Sequence, residues 1–153
     1  MKILFMMLLA ISVAFSAPLA IGDKLPDITL PDQFGNTHTI DKGVSKIIIT
    51  FDKKSSVLAN KFISKKKDSA KYLDANNMAF IANISKMPAL ITKLFAMPKM
   101  KKYKHTILLI DDDDNNMFLS EKKHISIYDL QDGIIKNITY IKGIKELNAS
   151  VSR

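Results

Sequence analysis

The densest run of potential ligand atoms in the chain is Asp111-Asp112-Asp113-Asp114-Asn115-Asn116. Calcium takes roughly six to eight oxygens, often from spaced Asp and Asn side chains. This run has neither the alternating acidic spacing nor the distal Glu of a calcium-binding loop. Consecutive acids of this kind are expected to form a solvated turn at a strand end, and Asp111, Asp112, Asp113 and Asp114 are the chain's metal-ligand candidates. The histidines, His38, His105 and His124, are far apart in sequence and form no H-x-x-x-H or H-E-x-x-H pattern. A metal-assisted site would therefore have to bring His124 to the acidic run in space. With five glycines and no Gly-rich phosphate loop, neither a dinucleotide nor a nucleoside triphosphate site is indicated. No Ser, His and Asp stand in a recognisable catalytic context. The chain has no cysteine, which removes a thiolate nucleophile, a Cys metal site and a redox pair. No cofactor is expected.

The 153 residues carry 23 Lys+Arg against 15 Asp+Glu, a net charge of +8. The only arginine is Arg153. Nucleic-acid binders lean on Arg for bidentate phosphate and guanine contacts, so this lysine-based charge does not indicate nucleic acid. Lys99, Lys101, Lys102 and Lys104, interleaved with Met97, Met100 and Tyr103, form a basic-apolar stretch. It reads either as a solvated helix end or as a contact for an anionic surface or acidic partner.

Lys2 followed by an almost wholly apolar run to Phe15, with small Ala14 and Ser16, reads as a secretory signal cut after Ser16. The run is shorter than the roughly 20 residues of a membrane span, and an uncleaved anchor is the alternative. The remainder, 17–153, is the length of one domain, expected in a periplasm or secreted. It has no internal repeat and no linker.

Prolines at 18, 26 and 31 forbid helix near the start, where two short extended pieces are expected, at 27–30 and 37–40. KIIITF at 46–51, MAFIANI at 78–84 and HTILLI at 105–110 read as buried strands. Ser55 or Ser56 is expected to cap one helix running to Leu73. A second helix should hold Pro88 in its first turn and be broken or kinked at Pro98. The acidic turn is followed by a short helix through Leu119. Residues 125–130 and 134–141 alternate around Gln131-Asp132-Gly133 and predict a hairpin, and a helix over 143–149 closes the chain. Strands separated by helices imply parallel pairing, with the terminal hairpin adding antiparallel strands.

Ile21-Gly22-Asp23-Lys24-Leu25-Pro26-Asp27-Ile28-Thr29-Leu30-Pro31-Asp32-Gln33-Phe34-Gly35-Asn36-Thr37 resembles the opening segment of thioredoxin-like redoxins, the group related to peroxiredoxins and exported thiol–disulfide proteins. Ile110-Asp111-Asp112 and the unit Ile127 through Ile135 are similar to later parts of the same pattern. The resemblance implies an α/β three-layer sandwich, with a mixed central sheet, helices on both faces and a C-terminal β-hairpin. It also implies where a thiol pair would stand: near Ser56 and Ala59, at the start of the helix after the first central strand. There a helix N-terminus lowers a thiol pKa. The family's proline facing that site would fall within Glu121-Lys122-Lys123-His124, which has none. Ser55, Ser56, Ala59, Lys123 and His124 therefore mark a vestigial active-site region. A serine with no neighbouring base does not replace a thiolate. The expectation is a binding or interaction protein without thiol chemistry. The alternatives are a non-thiol enzyme, with or without a metal, or an oxidoreductase-related accessory protein on the same frame, and a basic adaptor for an acidic surface.

Overall fold

A computed structural model of the chain describes residues 17–112 and 116–152. The expected leader, residues 1–16, lies outside the described residues, as do Asp113 and Asp114.

The apolar run at 46–51 becomes β3 (Lys46–Thr50), buried along its whole length, and it is the middle strand of a five-stranded sheet. Parallel to it runs β4 (Met78–Asn83), and β5 (Leu108–Ile110) follows in the same sense. On the other side β6 (Ile125–Gln131) and β7 (Ile134–Ile141) pair antiparallel, giving the order β5-β4-β3-β6-β7. The hairpin turn places Asp132 at φ 52° and Gly133 at φ 78°, the left-handed pair that a tight two-residue loop requires. A Cβ at Gly133 would also come within 3.3 Å of Lys42 Cβ. A separate antiparallel ribbon joins β1 (Ile28–Pro31) to β2 (Thr37–Ile40).

Alternation along the strands sorts the core into two clusters. Ile48, Phe80 and Ile127 face α1 (Lys53–Ser64), α2 (Ser69–Ala75), and α5 (Ile144–Val151) through Phe62, Ile63, Leu73 and Leu147. Ile47, Ile49, Ile81 and Tyr128 face the β1–β2 ribbon through Ile28, Leu30 and Ile40, with Phe118 beside them. Three layers are present. The layer over this second face is the N-terminal ribbon, where helix was expected, because the proline-punctuated segment supplies the covering side chains in extended form.

The single helix expected from Ser55 or Ser56 to Leu73 is two helices, and its cap is Asp52. The break falls in the Lys65–Lys67 run, where Lys66 Nζ stands 4.0 Å from the Phe62 ring centroid and 5.0 Å from that of Tyr72. Pro98 does not break the second helix. The segment runs from α3 (Ala89–Ile91) through a π-helical stretch (Thr92–Ala96) into α4 (Met97–Met100). Proline lacks an N–H and crowds the carbonyl four residues before it, and a wider π turn is one way to absorb that. No helix follows the acidic turn over 116–119.

β5 is shorter than the expected 105–110 because a side chain replaces its ladder. Gln33 Nε2 donates to the His105 carbonyl at 2.8 Å and Gln33 Oε1 accepts the Ile107 N–H at 2.9 Å. Gln33 is itself fully buried, so this residue of the opening segment holds the approach to the edge strand.

Candidate functional site

The chain leaves β3 at Thr50 and enters α1 within three residues, which puts a cluster of polar groups at the C-terminal edge of the sheet. Asp52 is extended (φ −146°, ψ 166°) and caps α1. Its Oδ1 accepts the Ser55 N–H at 2.9 Å, while its carbonyl accepts the Ser56 N–H and the Ser55 hydroxyl. Its Oδ2 accepts the Lys123 N–H at 3.0 Å, tying the loop before β6 to the start of the helix. Sequence reasoning placed the cap at serine and missed Asp52. The available signal was an Asp directly after an apolar strand and just ahead of a helical stretch, a favoured N-cap type.

Beside α1, across from the segment 89–100, lies a cleft of about 410 Å³. Such volumes suit small-molecule sites. Its walls are mainly apolar, with Val57 on α1, Ile84 and Met87 after β4, and Ile91, Phe95 and Met100 opposite. Val57, Ile91 and Phe95 remain 41%, 44% and 64% exposed. Thr50, 1% exposed, lines the cleft, and its hydroxyl has no hydrogen-bond partner among the described residues. Lys53, Lys86 and Lys99 line the same cleft, with Asp52 as the acid among them.

Asn60 joins this cleft to a buried histidine. Its Nδ2 donates to the Ser56 carbonyl at 2.9 Å, and its Oδ1 faces His105 Nε2 at 2.8 Å. An amide oxygen only accepts, so His105 carries its proton on Nε2 and leaves Nδ1, unpartnered among the described residues, as the bare nitrogen. Burial depresses the His105 pKa to about 4, and the ring is neutral at ordinary pH.

The residues named from the sequence separate in space. Ser56 lines the cleft; Ser55 is buried and bonded to Asp52; Ala59 is wholly buried in the core under α1. Lys123 meets Asp52 and adopts φ 64°, whereas His124 Nδ1 lies 2.9 Å from the Lys122 carbonyl and 3.5 Å from Glu121. Asp111 lines a broader hollow on another side of the 89–100 segment, near Lys101. Among the described residues no group of three or more His, Cys, Asp or Glu stands close enough to hold a metal ion. His38 Nε2 lies 2.8 Å from Asp32 Oδ2. Burial alone would raise the Asp32 pKa, but His38 and the Phe34 and Asn36 N–H groups outweigh it and hold the carboxyl below its usual range. No helix among the described residues is long and apolar enough to cross a membrane.

The fold recurs in solved structures. The chain is similar to the thioredoxin domain of a thiol-disulfide oxidoreductase from Bacteroides vulgatus, at 17% identity over 87% of this chain and 99% of that one, TM-score 0.52. It is also similar to a peroxiredoxin-like protein from Aquifex aeolicus, at 12% identity over 89% and 88%, TM-score 0.53. A peroxidoxin from Mycobacterium tuberculosis matches at 14% identity over 86% and 94%, TM-score 0.51. The fold is thioredoxin-like. No protein-family model matches the chain, and no curated protein sequence matches it. This thioredoxin-like chain contains no cysteine, so its helix α1 opens with Asp52 and two serines where no thiol chemistry is available.

Proposed function

We propose that this protein is an exported, non-catalytic binding protein that uses the cleft between α1 and the 89–100 segment to hold a ligand. The observation that carries the reading is the cleft itself, an open and largely apolar cavity of about 410 Å³ at the strand ends. Thr50 belongs to its lining, and the buried Thr50 hydroxyl has no partner among the described residues. An unsatisfied buried hydroxyl costs about 1–3 kcal/mol, which a ligand with a matching polar atom would recover. The absence of cysteine removes thiol chemistry from this edge of the sheet. Export rests on the apolar N-terminal run. N-terminal sequencing of the secreted product is expected to begin at Ala17, and a chain retained with Met1 would contradict cleavage.

The cleft is tested with the neutral dye N-phenyl-1-naphthylamine. One dye is expected to bind per chain, and Ser56→Trp, which places a large ring in the cleft from the helix surface, should abolish binding while leaving the fold intact by circular dichroism. Absence of dye binding to the unaltered protein, or binding indifferent to Ser56→Trp, would overturn the reading.

A further inference from the structure

The cleft is lined by both cationic and apolar side chains. At the strand termini, Thr50 offers its unpaired hydroxyl, Lys53 follows β3 by three residues, and Lys86 follows β4 by three. Lys99 adds a third cation from α4. The acid in this lining, Asp52, spends its carboxylate on the Ser55 and Lys123 N–H groups. Val57, Ile91 and Phe95 form an apolar lip whose side chains are 41–64% exposed. Leu90 and Leu94 on the same helical segment are 66% and 55% exposed. Exposed apolar side chains grouped along one cleft mark a place where something apolar sits.

We propose that the cleft takes an amphiphilic anion, with its charged head at Thr50, Lys53 and Lys86 and its hydrocarbon chain along Val57, Ile91 and Phe95. This proposal rests on the binding reading above and names the ligand class. Both halves of such a molecule meet their complement. The head is offered one hydroxyl and a net excess of ammonium groups; the chain covers side chains that water otherwise wets, at about 25 cal/mol per Å² of apolar surface removed from it. A neutral apolar ligand would leave the lysines unused, and an inorganic anion would leave the lip exposed. The same chemistry comes from two sources: a dispersed long-chain carboxylate, or an anionic phospholipid presented by a bilayer.

The experiment displaces bound N-phenyl-1-naphthylamine from the full-length mature protein with dodecanoate below its micellar concentration, and with dodecanol. Dodecanoate is expected to displace the dye at about tenfold lower concentration than dodecanol, as two solvent-exposed ion pairs would give. Lys53→Gln with Lys86→Gln should erase that difference while leaving displacement by dodecanol unchanged, and Thr50→Val should weaken dodecanoate several-fold. Retained dye binding shows that each variant still has its cleft. Raising the ionic strength should also narrow the gap, since exposed charges are screened. Co-sedimentation with phosphatidylglycerol vesicles but not phosphatidylcholine vesicles, lost in Leu94→Glu, identifies the bilayer as the source; displacement by dodecanoate without vesicle binding identifies the free amphiphile. Equal displacement by dodecanol and dodecanoate from a protein that binds the dye would overturn the anion assignment and leave the cleft standing. Failure to bind the dye would overturn both.

Discussion

Asp52 Oδ2 accepts the backbone N–H of Lys123 at 3.0 Å, while Oδ1 of the same carboxylate caps α1 through Ser55 at 2.9 Å. One side chain thus joins two segments 71 residues apart in sequence, at the C-terminal edge of β3. Lys123 is held at φ 64°, a left-handed conformation that costs a non-glycine residue about 1 kcal/mol. Here a carboxylate and a main-chain amide hold together a junction that no disulfide or thiolate can occupy.

Asp52→Ala removes both bonds and should destabilise the fold by about 2–5 kcal/mol, the sum of a lost cap and a lost charge-assisted hydrogen bond. Asp52→Asn keeps an amide oxygen for Ser55 but has no second acceptor for Lys123, so its cost should be smaller. In both variants amide exchange at Lys123 should quicken, measured by hydrogen–deuterium exchange. Unchanged exchange at Lys123 would show that the loop is held by something else.

Gln33→Leu should cost about 2–4 kcal/mol by urea unfolding, because it leaves the His105 carbonyl and the Ile107 N–H buried without partners. A loss below about 0.5 kcal/mol, the ordinary range for surface substitutions, would contradict a structural role for this side chain.

His105 makes stability depend on pH with a definite sign. Its pKa is near 4 when folded and close to the ordinary 6.5 when unfolded. Between these values the unfolded chain holds a proton that the folded chain does not. Stability is therefore full above pH 6.5, falls as the pH drops through 6.5, and stops falling from this cause near pH 4. The total is about 3 kcal/mol, at 1.36 kcal/mol per pKa unit. Urea midpoints measured from pH 7.5 to 4.5 should show this slope, and His105→Gln, which can still donate to Asn60, should flatten it. Asp32, with its lowered pKa, adds its own loss only at more acid pH.

The sheet was legible in the sequence where a strand carries its own signal. KIIITF and MAFIANI are continuous apolar runs, and the hairpin announces itself through Asp132-Gly133. What was not legible depends on partners distant in sequence. β5 stops short because Gln33, more than seventy residues earlier, takes the hydrogen bonds of residues 105–107. The break between α1 and α2 has no glycine or proline to mark it, and the π stretch before Pro98 arises from geometry that residue type alone does not convey. Periodicity could not say that Ser56 faces the cleft while Ala59 faces the core. The cleft itself exists only because residues 89–100 pack beside α1, and nothing local in either segment encodes that meeting.

The central claim, that this edge of a cysteine-free thioredoxin-like protein is a binding cleft, is tested most directly by amide chemical-shift mapping of the mature protein titrated with N-phenyl-1-naphthylamine. Saturable shifts concentrated at Thr50, Ser56, Val57, Ile84, Met87 and Ile91 are the expected result. Shifts spread over the β1–β2 ribbon, or none at these residues at saturating dye, would contradict it.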